Sequence, residues 1–189
     1  MNYKNYLYSL RFFILFALVF SVFFAFYGYW VAKSFPAKAA LIVERFEGAF
    51  GPLLEAHPLV QFIVVFLNNS FTLILTILLG VIFGIFPLLV LFSNGTLFGV
   101  FAFLWQKEMP LTDFFLVTLP HGLIEIPILI IGAAIGLKIG QTALKKVFQK
   151  QGQIKPELFL ALKFYLKILL PLLALAAFIE IFLSPLLLR

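Results

Sequence analysis

His121 and Glu125 are the only ionisable residues in the apolar stretch between Asp113 and Lys138. Four positions is about one helical turn, so on a helix the imidazole and the carboxyl share a face. Such a pair can lock a helix end or a subunit interface by hydrogen bonding. It can also exchange protons near neutral pH and so line a proton or ion path, or contribute ligands to a metal-dependent hydrolytic centre. For a metal site only His121 and Glu125 are candidates, because the other histidine, His57, lies far off in the chain and no His-Glu-x-x-His pattern occurs. No metal, cofactor or catalytic residue is therefore assigned. Ser70 and Ser93 sit in no nucleophile-elbow context. Cysteine is absent, which excludes thiol nucleophiles, thiolate metal sites and disulfides. Asn69 and Asn94 add two amides inside apolar runs, placed to hydrogen-bond between helices or to line a polar cavity.

The elements that carry these residues follow from composition. Of 189 residues 63% are hydrophobic and 12% charged, and the mean hydropathy is +1.12. A soluble globule of that composition would expose more apolar surface than water tolerates. The run from Ala56 to Gln106 holds no Asp, Glu, Lys or Arg and far exceeds the roughly 20 residues of one crossing. Runs of this length are helices and not barrel strands. The expected fold is all-α, a polytopic transmembrane helix bundle forming a single membrane domain over residues 1–189. Five spans are placed at Phe12 to Val31, Phe62 to Phe83, Pro87 to Leu104, Pro120 to Leu137 and Phe159 to Phe182. The first is read as a retained anchor because it is too long for a signal peptide.

Counting Lys and Arg by loop gives nine on the side of the N-terminus and five on the other, which places the N-terminus in the cytoplasm of a multi-pass cell-membrane protein. The net charge of +6 comes with five basic residues between Lys138 and Lys155. They mark a basic cytoplasmic loop over residues 138–157 that suits anionic lipid, and no nucleic-acid motif accompanies them. Residues 32–58 are read as an extracytoplasmic amphipathic helix, with Ile42, Phe46, Ala49, Phe50 and Leu53 on its apolar face. That face is a membrane-lying or partner-docking surface, and Phe46 and Phe50 are expected to be buried. The segment after Pro110 is expected to form a short interfacial or re-entrant helix ended by Pro120, because the residue before a proline disfavours helix.

Small-x-x-x-small spacing recurs at Gly80 and Gly84, at Gly95 and Gly99, and at Gly132, Gly136 and Gly140, with Gly122 beside His121. Such faces let membrane helices approach closely, within one chain or across a homodimer. Glu180, near the end of the last span, is placed to snorkel toward the outer interface.

The stretch Phe66-Leu67-Asn68-Asn69, Gly80 and Gly84, Ser93-Asn94-Gly95 and Gly99, Pro120-His121-Gly122 with Glu125, and then Gly132, Gly136 and Gly140 resembles the stage II sporulation protein M family. The resemblance covers residues 62–140. It implies a polytopic membrane protein which, in spore-forming bacteria, works with peptidoglycan-degrading enzymes during engulfment. Members also occur in organisms that never sporulate, so the resemblance carries over the architecture and the importance of Asn69, Asn94, Gly95, His121, Gly122 and Glu125. The expected role is a membrane scaffold or partner-binding protein, a homodimer packed through glycine-faced helices that offers its outer segment to protein partners. A transporter or channel lined by Asn69, Asn94, His121 and Glu125 is the alternative, and an intramembrane metal-dependent hydrolase a third.

Overall fold

The computed structural model describes the backbone of residues 3–106 and 111–183, and their side chains except at positions 47, 49, 50, 54 and 111–121. The described residues are helical and contain no strand: α1 (Tyr3–Ser34), α2 (Pro36–Leu54), α3 (Pro58–Leu78, extended by a 3-10 turn Leu79–Val81), α4 (Ile85–Trp105), α5 (Leu111–Gln149), α6 (Ile154–Phe164) and α7 (Leu170–Phe178). Five stretches are long and apolar enough to cross a bilayer: Tyr3–Ser34, Pro58–Val81, Ile85–Trp105, Gly122–Gln149 and Ile154–Leu183. These are the five expected spans, with their ends shifted by a few residues or turns.

α5 is the central element. Half of its apolar window is buried, against 11% for α1, because α1 and α4 flank it on one side and α3 and α7 on the other. One core cluster sits at the end of the bundle marked by Tyr6 and Leu10, where Leu73, Ile77, Ile135, Ile139 and Phe164 meet. The Lys138 ammonium closes that end, 3.2 Å from the Glu157 carboxylate and 3.3 Å from the Ser9 hydroxyl.

The expected short helix ending at Pro120 is absent as a separate element: residues 111–149 form one helix through Pro120 and Pro127. A proline inside a helix removes one backbone bond, but a membrane offers the chain no water to compensate a full break, so neighbouring groups absorb the loss. At 39 residues α5 is about 58 Å long, well beyond the roughly 30 Å hydrocarbon layer. Much of the expected basic loop is therefore helical, with Lys145 and Lys146 exposed on the last turns of α5 and a short turn at Lys150 (φ 55°) and Gly152 (φ 99°) leading to α6.

The last span contains two π turns, Tyr165–Leu169 and Ile179–Leu183. Pro171 accounts for the first. It has no N–H to return to the carbonyl of Lys167, and the widened turn, in which the Leu170 amide bonds the Tyr165 carbonyl, accommodates the defect. The turn also aims the buried Tyr165 hydroxyl at Ser70, where it donates to the carbonyl at 3.1 Å and lies 3.2 Å from the hydroxyl.

α2 is the amphipathic element expected over residues 32–58. Ala39 is buried against α1 and α4, and Phe46 meets Phe101 edge to face with centroids 5.2 Å apart. The protein itself covers Phe46 only in part, leaving it 39% exposed. One helix laid across the ends of two others covers a single stripe, and the rest of its apolar face is left to the lipid interface. The side chain of Phe50 lies outside the described residues.

Candidate functional site

Three of the four polar residues singled out in the sequence come together. α3 and α5 run in the same direction and α4 runs against α5, which places Asn69 and Asn94, each near the middle of its span, level with Glu125. Asn69, Thr72, Asn94 and Glu125 line a chamber of about 40 Å³ between α3, α4, α5 and α7, closed on its apolar side by Leu73, Ile128 and Leu173. Such a volume holds a few waters at most, at roughly 10–15 Å³ each. His121 stands one turn before Glu125 on α5, and its side chain lies outside the described residues.

Glu125 and Asn94 have a second aspect. On their other side they line a groove of about 310 Å³ between α1, α4 and α5, together with Ser21, Val22, Phe98, Ile126 and Leu129. This groove is half open on the flank of the bundle, where a soluble protein would meet water and this one meets lipid. The carboxyl thus lies between a large apolar groove and a small, more polar chamber, both partly open.

The donors and acceptors are unevenly distributed. The Asn94 amide nitrogen donates to the Val90 carbonyl at 2.8 Å, which leaves its carbonyl oxygen as the acceptor it can offer to the chamber. The Asn69 carbonyl oxygen faces the Asn68 amide nitrogen at 3.4 Å. Among the described residues no Lys or Arg lines either space. Glu180, expected to snorkel outward, is half-buried in the second π turn, close enough for its charge to act on Glu125. α5 and that turn are in contact, so the last span is held inward at this point.

Helix approach is governed by the glycines. A Cβ at Gly99 would collide with the backbone of Ala25 and Tyr29 on α1, and one at Gly80 with the backbone of Gly136 on α5. Gly95, Gly132, Gly136 and Gly140 likewise abut α1, α3, Pro87 and the Phe83–Gly84 turn. At Gly84 (φ 77°) the chain reverses in the left-handed region between α3 and α4. Gly122 is buried. Apart from Gly122, these glycine faces meet other helices or turns of the same chain.

Sequence reasoning passed over Thr72, Ser21 and the Tyr165–Ser70 pair. Thr72 was findable, since it lies three residues beyond Asn69 and hence on the same helical face. Ser21 and Tyr165 gave no signal of their own, because their significance arises only from the packing of distant helices. Among the described residues no group of three or more His, Asp or Glu side chains converges, so these residues supply no ligand set for a hydrolytic metal.

Five apolar spans, four of them packed around the central α5, with a carboxyl and two amides level with one another, define a multi-pass helical membrane protein with a polar intramembrane cluster. The chain belongs to the stage II sporulation protein M family, whose model matches residues 13–185. Those residues include every position of the resemblance seen in the sequence. No curated protein and no solved structure matches the chain.

Proposed function

We propose that the protein is a non-enzymatic membrane scaffold that holds a partner's transmembrane helix in the lateral groove between α1, α4 and α5. The observation that carries this reading is the groove itself, about 310 Å³ with apolar walls and with Glu125, Asn94 and Ser21 in its floor. Two or three aliphatic side chains fill such a volume, and a partner helix would present them at i, i+3 and i+4. Family membership agrees with an integral membrane role. The basic end of the bundle is assigned to the cytoplasm by its excess of Lys and Arg, which puts α2 outside, available to partners there. A homodimer remains part of the proposal, but through lipid-facing surfaces and not through the glycine faces.

A photo-crosslinking residue placed at Val22 or Ile126, both exposed in the groove, and at Phe71 or Phe159, both exposed elsewhere, tests the scaffold. In native membranes the groove positions are expected to give a protein adduct of discrete mass, with the bound peptide mapping to an apolar stretch of about 20 residues. Lipid adducts alone, or the same adduct at all four positions, would refute it. The chamber behind Glu125 favours one other reading, transport of a proton or cation. That reading requires ion flux in proteoliposomes that Glu125→Gln abolishes.

A further inference from the structure

We infer that the groove recognises a lysine: the partner helix carries an ammonium group near the middle of its span, its methylene stem lying along the apolar groove and its head reaching Glu125 and the chamber behind. The inference rests on the scaffold reading and names the chemistry of what the groove holds.

Charge is the first argument. Glu125 lies in the apolar layer and lines both the groove and the chamber; among the described residues no Lys or Arg lines either space with it, and the charged group that acts on it is a second carboxyl, Glu180. An ionised carboxyl at that depth is costly unless it meets a counter-charge. Lys138, the basic residue that follows it on α5, is already engaged with Glu157 at the end of the bundle.

Shape is the second argument and is independent of charge. The apolar space is large and the polar space small, both are partly open, and the two are joined at Asn94, Glu125 and Leu129. A long aliphatic stem ending in a compact polar head matches both parts. A free cation would leave the apolar groove without an occupant, and an acyl chain would leave the carboxyl without a partner.

Donor count is the third. The site offers the Glu125 carboxylate and the Asn94 carbonyl oxygen, whose amide nitrogen is tied to Val90, with Thr72 and Asn69 beyond. An ammonium brings three donors and no acceptor. The chamber of about 40 Å³ suits that compact head better than a planar guanidinium.

Because the chain has no cysteine, a donor fluorophore can be attached at Leu15→Cys alone. The labelled protein is reconstituted in liposomes with a synthetic Leu/Ala transmembrane peptide that carries an acceptor fluorophore and a single central Lys or Gln. Energy transfer is expected to show about tenfold tighter association with the Lys peptide, and Glu125→Gln is expected to erase that preference. Equal binding of the two peptides to the unaltered protein overturns the inference, as does a preference that survives Glu125→Gln. Should Glu125→Gln fail to fold, Asn94→Ala takes its place, with the preference expected to fall to about threefold and an unchanged preference counting against the inference. Sodium-22 binding lost in Glu125→Gln without any peptide preference would replace the lysine by a free cation. Groove-restricted crosslinks without a Lys preference would defeat the lysine alone and leave the scaffold standing, whereas their absence defeats the scaffold.

Discussion

Replacing Gly99 by alanine tests where the glycine faces are used. The added Cβ would fall against the carbonyl of Ala25 and the amide nitrogen of Tyr29. Both are backbone atoms of α1, so no side chain can swing aside and the two helices must separate. Inserting a methyl group into a packed core costs about 1–3 kcal/mol, and a contact with backbone belongs at the top of that range. Alanine returns about 1 kcal/mol in helix propensity, leaving a net loss of about 2 kcal/mol. For a chain of this size that is a fall in melting temperature of about 4–8 °C. The internal control is Gly48→Ala on α2, where a Cβ meets nothing within 4 Å and only the propensity gain of about 0.4–1 kcal/mol applies. Thermal unfolding of the protein in nanodiscs, followed by the fluorescence of Trp30 and Trp105 near the α2 end of α1 and α4, separates the two variants. Equal melting temperatures for Gly99→Ala and Gly48→Ala would refute the packing argument. A Gly99→Ala protein of normal stability but altered oligomer size would show that this face serves a second copy after all.

Tyr165→Phe removes a buried hydroxyl that bonds Ser70 across the π turn. A loss of about 1 kcal/mol is expected in the same melting assay, with Ser70→Ala milder because the Ser70 carbonyl still accepts. Orientation is read by cysteine labelling at two exposed positions, Glu55 and Gln151. A membrane-impermeant maleimide should reach Glu55→Cys in intact cells and Gln151→Cys only after permeabilisation, the reverse pattern contradicting the cytoplasmic placement of the basic end.

The spans were legible because hydropathy reports the solvent directly: a residue that must face lipid is apolar wherever it sits. Their precise interactions were not. The glycine pairs announced close approach, but nothing in their spacing says that Gly99 seats on Ala25 or Gly80 on Gly136, since a small-residue face fits any partner of matching curvature. Pro120 misled for a related reason. The steric bias before a proline is weaker than the cost of breaking a helix in lipid, where freed backbone groups find no water. Glu180 read as a surface carboxyl because it stands near the end of its span, while the π turn that brings it toward Glu125 is invisible in the residue pattern.

At Glu125 a carboxyl stands in the apolar layer with no basic side chain beside it in either space among the described residues. Leucine there would fill the same stripe of α5 and avoid a cost of about 2.5–3.5 kcal/mol on membrane insertion scales. The amides of Asn69 and Asn94 and the hydroxyl of Thr72, brought level from two other helices, line the same chamber but bring no opposite charge. Proteins depart from local consistency chiefly where function requires it, so a carboxyl supported by three helices, yet open on its lateral side, is most economically explained by a cationic partner. Glu125→Leu should accordingly yield a protein at least as thermostable as the parent but unable to form the groove-restricted crosslink. A stability loss comparable to that of Gly99→Ala would instead mean that the carboxyl serves the fold alone.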